Sequence, residues 1–159
     1  MVEKIVYRDA IFISQAADQT ELFTAVFNQL NHLSYVKGNY ASDLQERERL
    51  APTGIAMRPI ARHLPNIAVP HLQSADFYRD LLVPIRCQHV LFNDMLTPKT
   101  QIPVDFVFLL LTDSAPARTQ LLARVVGLLR AVPPEELRVF LTAKSPEQIY
   151  AFLNKNLPD

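Results

Sequence analysis

Residues 103–112, Pro-Val-Asp-Phe-Val-Phe-Leu-Leu-Leu-Thr, place the tightest constraint on the fold. The segment has the length of a strand, and its unbroken core from Phe106 to Leu111 is apolar at every position. Alternate side chains of a strand point to opposite faces, so a run apolar at every position predicts a strand buried on both. Helices on either side of a sheet supply that cover. The order of the remaining elements fits this, with helical and extended patterns interleaved, giving an α/β (α+β) fold with a single sheet flanked by helices.

Residues 4–13 read as a strand, or two short ones broken near Arg8-Asp9. From Thr20 to Val36, Leu22, Phe23, Val26, Phe27, Leu30 and Leu33 recur at three- and four-residue spacing. That pattern predicts an amphipathic helix, with Asp18 or Thr20 as N-cap and Gly38 as its stop. Ser42 to Leu50 predicts a shorter, polar helix ended by Pro52 and Gly54. Ala56 to Pro65 reads as a loop, and Ile67-Ala68-Val69 as a brief buried strand closed by Pro70, which has no N–H to extend a ladder. His71 then stands where strand gives way to loop, at a sheet rim. A strand is expected from Leu81 to Arg86, and a loop or short edge element from Val90 to Pro98. Ala117 to Val132 predicts a helix with a wide leucine and valine stripe. Pro133-Pro134 breaks it before a short helix in PEELRVFLTA, and Ser145-Pro146 caps a last one to about Leu157.

The chain has 159 residues, the size of one domain spanning 1–159, with neither repeats nor a low-complexity tract. Sixteen basic residues balance sixteen acidic ones without a basic run, which argues against a nucleic-acid partner. Three scattered glycines, Gly38, Gly54 and Gly127, cannot form a phosphate-cradling loop, so no nucleotide cofactor is expected. Cys87 is the single cysteine and reads as a buried structural thiol. No apolar run nears the roughly 20 residues of a membrane span and MVEKIVYRDA has no signal-peptide core, so a cytoplasmic location without membrane insertion is expected.

Four histidines invite chemistry, but none of their spacings suits a metal, and no metal is expected. His32 sits on the flank of the first amphipathic helix, His63 lies in the proline-bounded loop, and His89 follows the strand that ends near Cys87. His71 stands apart because a proline and a buried strand fix its backbone. From the residues alone it reads equally as an ordinary strand-end histidine and as a functional one. A neutral imidazole is a nucleophile able to carry a phosphoryl group, provided that a cation stabilises the phosphoryl oxygens. Arg47 is the candidate cation, with Arg49, Arg58 and Arg62 as competitors. The charge at 46–49 is equally explained as a solvated helix face.

Arg47-Glu48, then Pro52-Thr53-Gly54-Ile55, then Ile67-Ala68-Val69-Pro70-His71 together resemble the IIA components of the bacterial phosphoenolpyruvate-dependent sugar phosphotransferase system. Within these the pattern is similar to the fructose–mannitol superfamily and its galactitol-type branch. The resemblance covers nearly the whole chain. It implies a mannitol-IIA-like mixed sheet flanked by helices, and a phosphotransferase working through phosphohistidine. His71 matches the family's phosphorylated nucleophile and Arg47 its phosphoryl-stabilising arginine. The implied partners are the histidine phosphocarrier protein, which donates to His71, and a IIB component, whose cysteine accepts. Three features depart from the common pattern. Leu72 follows the histidine where glycine is frequent, which the galactitol-type branch tolerates. Ala115-Pro116-Ala117-Arg118 stands where many members carry a second histidine, with Arg118 as its possible substitute. The loop from Gly54 to His71 is also a few residues longer. The alternative to a transport role is a phosphorylatable regulatory module of the nitrogen-signalling type, and a third is a scaffold that has lost the activity.

Overall fold

The computed structural model describes residues 4–157. Among the described residues six strands form one mixed sheet: β1 (Phe12–Ile13), β2 (Gly54–Ile55), β3 (Asn66–Ala68), β4 (His71–Gln73), β5 (Leu81–Asn93) and β6 (Gln101–Thr112). The order across the sheet is β1-β5-β6-β3-β2, and β4 pairs with β6 beyond the end of β3. β5 and β6 run antiparallel at the centre, β3 and β4 run parallel to β6, and β2 returns antiparallel on β3. Five helices cover it: α1 (Gln19–His32), α2 (Ala41–Leu50), α3 (Ala115–Ala131), α4 (Pro134–Leu141) and α5 (Pro146–Asn156).

β6 divides its side chains as its pattern predicts. Val104, Val107, Leu109 and Leu111 join α1 and α2 in one core. Phe106, Phe108 and Leu110 join α3, α4 and α5 in the other. There Phe140 lies 4.9 Å from Phe106 between ring centroids and stacks on Phe152 at 4.1 Å.

Local chemistry sets the helix ends. The Asp18 side chain accepts from Glu21 N, and the Glu21 side chain accepts from Ala17 N, so α1 is capped reciprocally. Ser145 likewise caps α5 by accepting from Gln148 N. The expected stop of α1 at Gly38 is corrected. The helix ends at His32, where Ser34 adopts φ +66° and Ser34 N and Tyr35 N bond back to Asn31 O and Leu30 O. This left-handed closure, usually made by glycine, here uses serine, and it seats Tyr35 and Leu30 in the same core.

Three strand expectations are also corrected. Of residues 4–13 only Phe12–Ile13 is strand, because a turn returns Ala10 N to Tyr7 O before the chain reaches β5. The segment from Val90 continues β5 rather than forming a loop. The register shifts between Arg86 and Val90, and His89 takes φ +51° while its N–H donates to Asp105 Oδ1. The bulge absorbs the polar Gln88-His89 and returns Val90 and Phe92 to the core. Third, His71 opens a strand of its own, β4, instead of a loop. Pro70 has no N–H, but its carbonyl still accepts from Leu110 N at 3.0 Å, so pairing with β6 resumes one residue later.

Candidate functional site

α2 and the β2–β4 segment meet where Arg47 and His71 face each other. Arg47 Nη2 lies 3.1 Å from His71 Nε2, and His71 Nδ1 lies 3.0 Å from Val69 O. A carbonyl only accepts and a guanidinium only donates, so Nδ1 carries the ring proton and Nε2 presents its lone pair. Burial pushes the His71 pKa down from its ordinary value; Val69 O opposes this, and the charges of Arg47 and Arg118 lower it further. The imidazole is thereby neutral and nucleophilic near pH 7.

The arginine is only partly engaged: Arg47 Nε is buried and unbonded. An oxygen-rich group arriving at Nε2 would find a donor held in reserve. The competing arginines are placed elsewhere. Arg49 pairs with Glu46 on the outer side of α2, and Arg58 and Arg62 are exposed in the loop. Arg118, half-buried in the first turn of α3, adds a second positive field at the ring.

Glu48 and Thr53 form a part of the site whose function the sequence did not disclose. Glu48 is only 4% exposed; its Oε2 accepts from Thr53 Oγ1 at 2.7 Å and its Oε1 from Thr53 N at 3.2 Å. Thr53 O in turn accepts from Val69 N at 3.2 Å. Burial raises the Glu48 pKa to about 7, against the bonds from Thr53 and the Arg47 charge that lower it. The available signal was an acid beside arginine five residues ahead of a threonine–glycine turn. An open groove of about 640 Å³ is lined by Gln45, Glu48, Arg49, Asn93 and Gln101.

The other candidates stay apart from this centre. His32 and His63 are exposed, and His89 Nδ1 faces Asp105 at 3.1 Å on the surface. Cys87 is buried, its thiol donates to Val104 O, and its pKa is pushed up to about 12 by burial. Among the described residues no three His, Cys, Asp or Glu side chains are grouped to hold a metal ion, and no helix is long and apolar enough to cross a membrane.

Known structures share this architecture. Nitrogen regulatory protein IIA-Ntr from Neisseria meningitidis superposes with a TM-score of 0.70 at 22% identity, covering 94% of this chain and 96% of that one. IIA mannitol from Escherichia coli gives 0.69 at 19% identity over 91% and 96%. Escherichia coli enzyme IIA-Mtl, in its complex with phosphorylated enzyme IIB-Mtl, gives 0.64 at 19% identity over 92% and 94%. At these identities the likeness establishes the fold, a mannitol-IIA-like mixed sheet between helices. No curated protein matches the sequence. The family model of the phosphoenolpyruvate-dependent sugar phosphotransferase system, EIIA 2, matches residues 4–156, and the chain therefore belongs to that family of phosphoryl-transferring components.

Proposed function

We propose that the protein is a cytoplasmic phosphocarrier that accepts a phosphoryl group on His71 Nε2 from the histidine phosphocarrier protein and passes it to a cysteine of a IIB component. The observation that carries the reading is the Arg47–His71 pair, with Nε2 unprotonated and a guanidinium 3.1 Å from it. The Nε2 lone pair attacks phosphorus, and the N–P bond of the donor breaks with its electron pair returning to the donor imidazole. Arg47 moves from the lone pair to the phosphoryl oxygens, where Arg118 adds its charge. Val69 O takes up the positive character that grows on Nδ1–H. A cysteine thiolate of the acceptor reverses the sequence, forming S–P as N–P breaks, and the imidazole recovers its pair. Neither a metal nor a nucleotide enters this scheme. The mannitol-type complex between IIA and phosphorylated IIB supports the kind of acceptor.

The galactitol-type assignment rests on Arg47-Glu48 preceding Pro52-Thr53-Gly54 and on Leu72 after the histidine. Labelling from phosphoenolpyruvate through the general phosphotransferase proteins, with detection of acid-labile phosphate by mass spectrometry, tests the carrier role. The expected result is one label on His71, absent in His71→Ala. Label persisting in His71→Ala overturns the site, and a folded wild-type protein without label turns the reading to the regulatory or scaffold alternative. Offering galactitol-type and mannitol-type IIB proteins side by side then tests the branch.

A further inference from the structure

The main chain that holds His71 is itself held, and its anchor returns to the helix that carries Arg47. Glu48 grips Thr53 at N and Oγ1, Thr53 O accepts from Val69 N, Val69 O accepts from His71 Nδ1, and His71 Nε2 accepts from Arg47, the neighbour of Glu48 in α2. Five residues spread over 47–71 therefore form a closed ring of contacts.

We propose that Glu48 is a positioning residue of the phosphoryl-transfer site, its carboxylate clamping Thr53 so that Val69 O fixes the His71 ring with Nε2 bare and aimed at Arg47. This rests on the carrier role proposed above. A carboxyl group at 4% exposure is costly unless its oxygens are hydrogen-bonded, and both oxygens of Glu48 are committed to Thr53. Its position supplies what an apolar side chain lacks: two polar atoms at the spacing of one residue's N–H and O–H, on a helix whose preceding residue is already at the ring. Gly54 completes the arrangement. A Cβ there would stand 2.6 Å from Asn93 O, so the turn is pressed against β5 and cannot retreat from Glu48. The hydroxyl of Thr53 can donate or accept, so the clamp is built for a partner that presents an acceptor at one oxygen and either role at the other. Glutamine meets that requirement, and leucine does not.

The test uses the full chain with Glu48→Leu, Glu48→Gln and Thr53→Val, each confirmed as folded by its amide spectrum. Long-range proton–nitrogen spectra of the His71 ring report which nitrogen holds the proton and need no phosphoryl donor. They therefore judge the clamp even where no label reaches His71, whereas the loss of labelling in His71→Ala judges the carrier role. In Glu48→Leu the ring is expected to populate both protonation forms. Its kcat for uptake from the phosphorylated phosphocarrier protein should fall by about tenfold to a hundredfold, the scale of a misplaced reacting group, while KM stays within about twofold. Glu48→Gln is expected to restore the ring spectrum and bring kcat to within about threefold of wild type. Should Glu48→Leu fail to fold, Thr53→Val, which removes the hydroxyl and little volume, is read by the same criteria. A wild-type ring spectrum in the folded Leu or Val variant overturns the proposal whatever the rate, as does a Gln variant no better than Leu.

Discussion

Burial first, and then the charge around it, decides how the His71 ring titrates. Burial, Arg47 and Arg118 all disfavour the imidazolium, so Arg47→Ala should raise the His71 pKa while slowing phosphoryl uptake by about a hundredfold. A proton-detected titration of the ring and initial labelling rates would report the two effects, and an unchanged or lowered pKa would contradict this electrostatic account. Glu48 runs the other way. Its folded pKa of about 7 lies above the ordinary 4.5, so between those values the folded state binds more protons than the unfolded one. Stability contributed by protonated Glu48 is present below about pH 4.5 and is lost as pH rises through 7, a cost of at most about 3 kcal/mol. Glu48→Gln should therefore be more stable than wild type at pH 8 and indistinguishable at pH 4, measured by urea unfolding at both. The place of His71 was legible because a proline and a short apolar run fix its backbone, whereas Arg47 was singled out only by the motif resemblance, since the residues alone left Arg49, Arg58 and Arg62 as competitors. The role of Glu48 was not legible, because a polar helix such as α2 gives no sign of which single acid is turned inward.

Among the elements, the strong ones were readable and the short ones were not. β6 and α5 follow from local pattern: six successive apolar residues in one, a serine cap with proline behind it in the other. β2 and β4, of two and three residues, have no periodicity to read and exist because β3 and β6 offer them partners. The continuation of β5 past His89 was hidden for the same reason. A bulge disrupts the alternation that signals a strand, and the left-handed residue there donates its N–H to the Asp105 carboxylate on the neighbouring strand. Gly54 shows how tightly such a short element is specified. In Gly54→Ala the new methyl meets backbone Asn93 O at 2.6 Å and Ile102 Cδ1 at 3.2 Å, and a carbonyl in a paired strand cannot swing aside. The expected loss is about 2 kcal/mol from overpacking, a Tm lower by about 4 to 8 °C. Calorimetry would check it, and a Tm within a degree of wild type would show that β2 can shift freely.

At the scale of the molecule, one sheet belongs to two cores. Because β6 feeds Val107, Leu109 and Leu111 to one side and Phe106, Phe108 and Leu110 to the other, neither core survives loss of the sheet. Phe140→Ala, which empties the centre of the phenylalanine cluster, should cost about 3 to 5 kcal/mol and still unfold in one transition. Coincident near- and far-ultraviolet dichroism curves in urea would demonstrate it, and separated curves would mean that the layers unfold independently.

Pro70 gives the proposed relay its character. With Pro70 O on Leu110 N and Val69 O on the ring, the acceptor nitrogen hangs from the sheet itself and not from a movable loop. Loading such a nitrogen changes its charge without asking the backbone to change shape. In the proposed relay the main chain would keep no memory of being full or empty, and the Arg47 side chain alone would shift. The carrier's donor and acceptor must tell the two states apart by touch at one atom, by the presence or absence of a dianion, and the same face serves both without having to be rebuilt between visits.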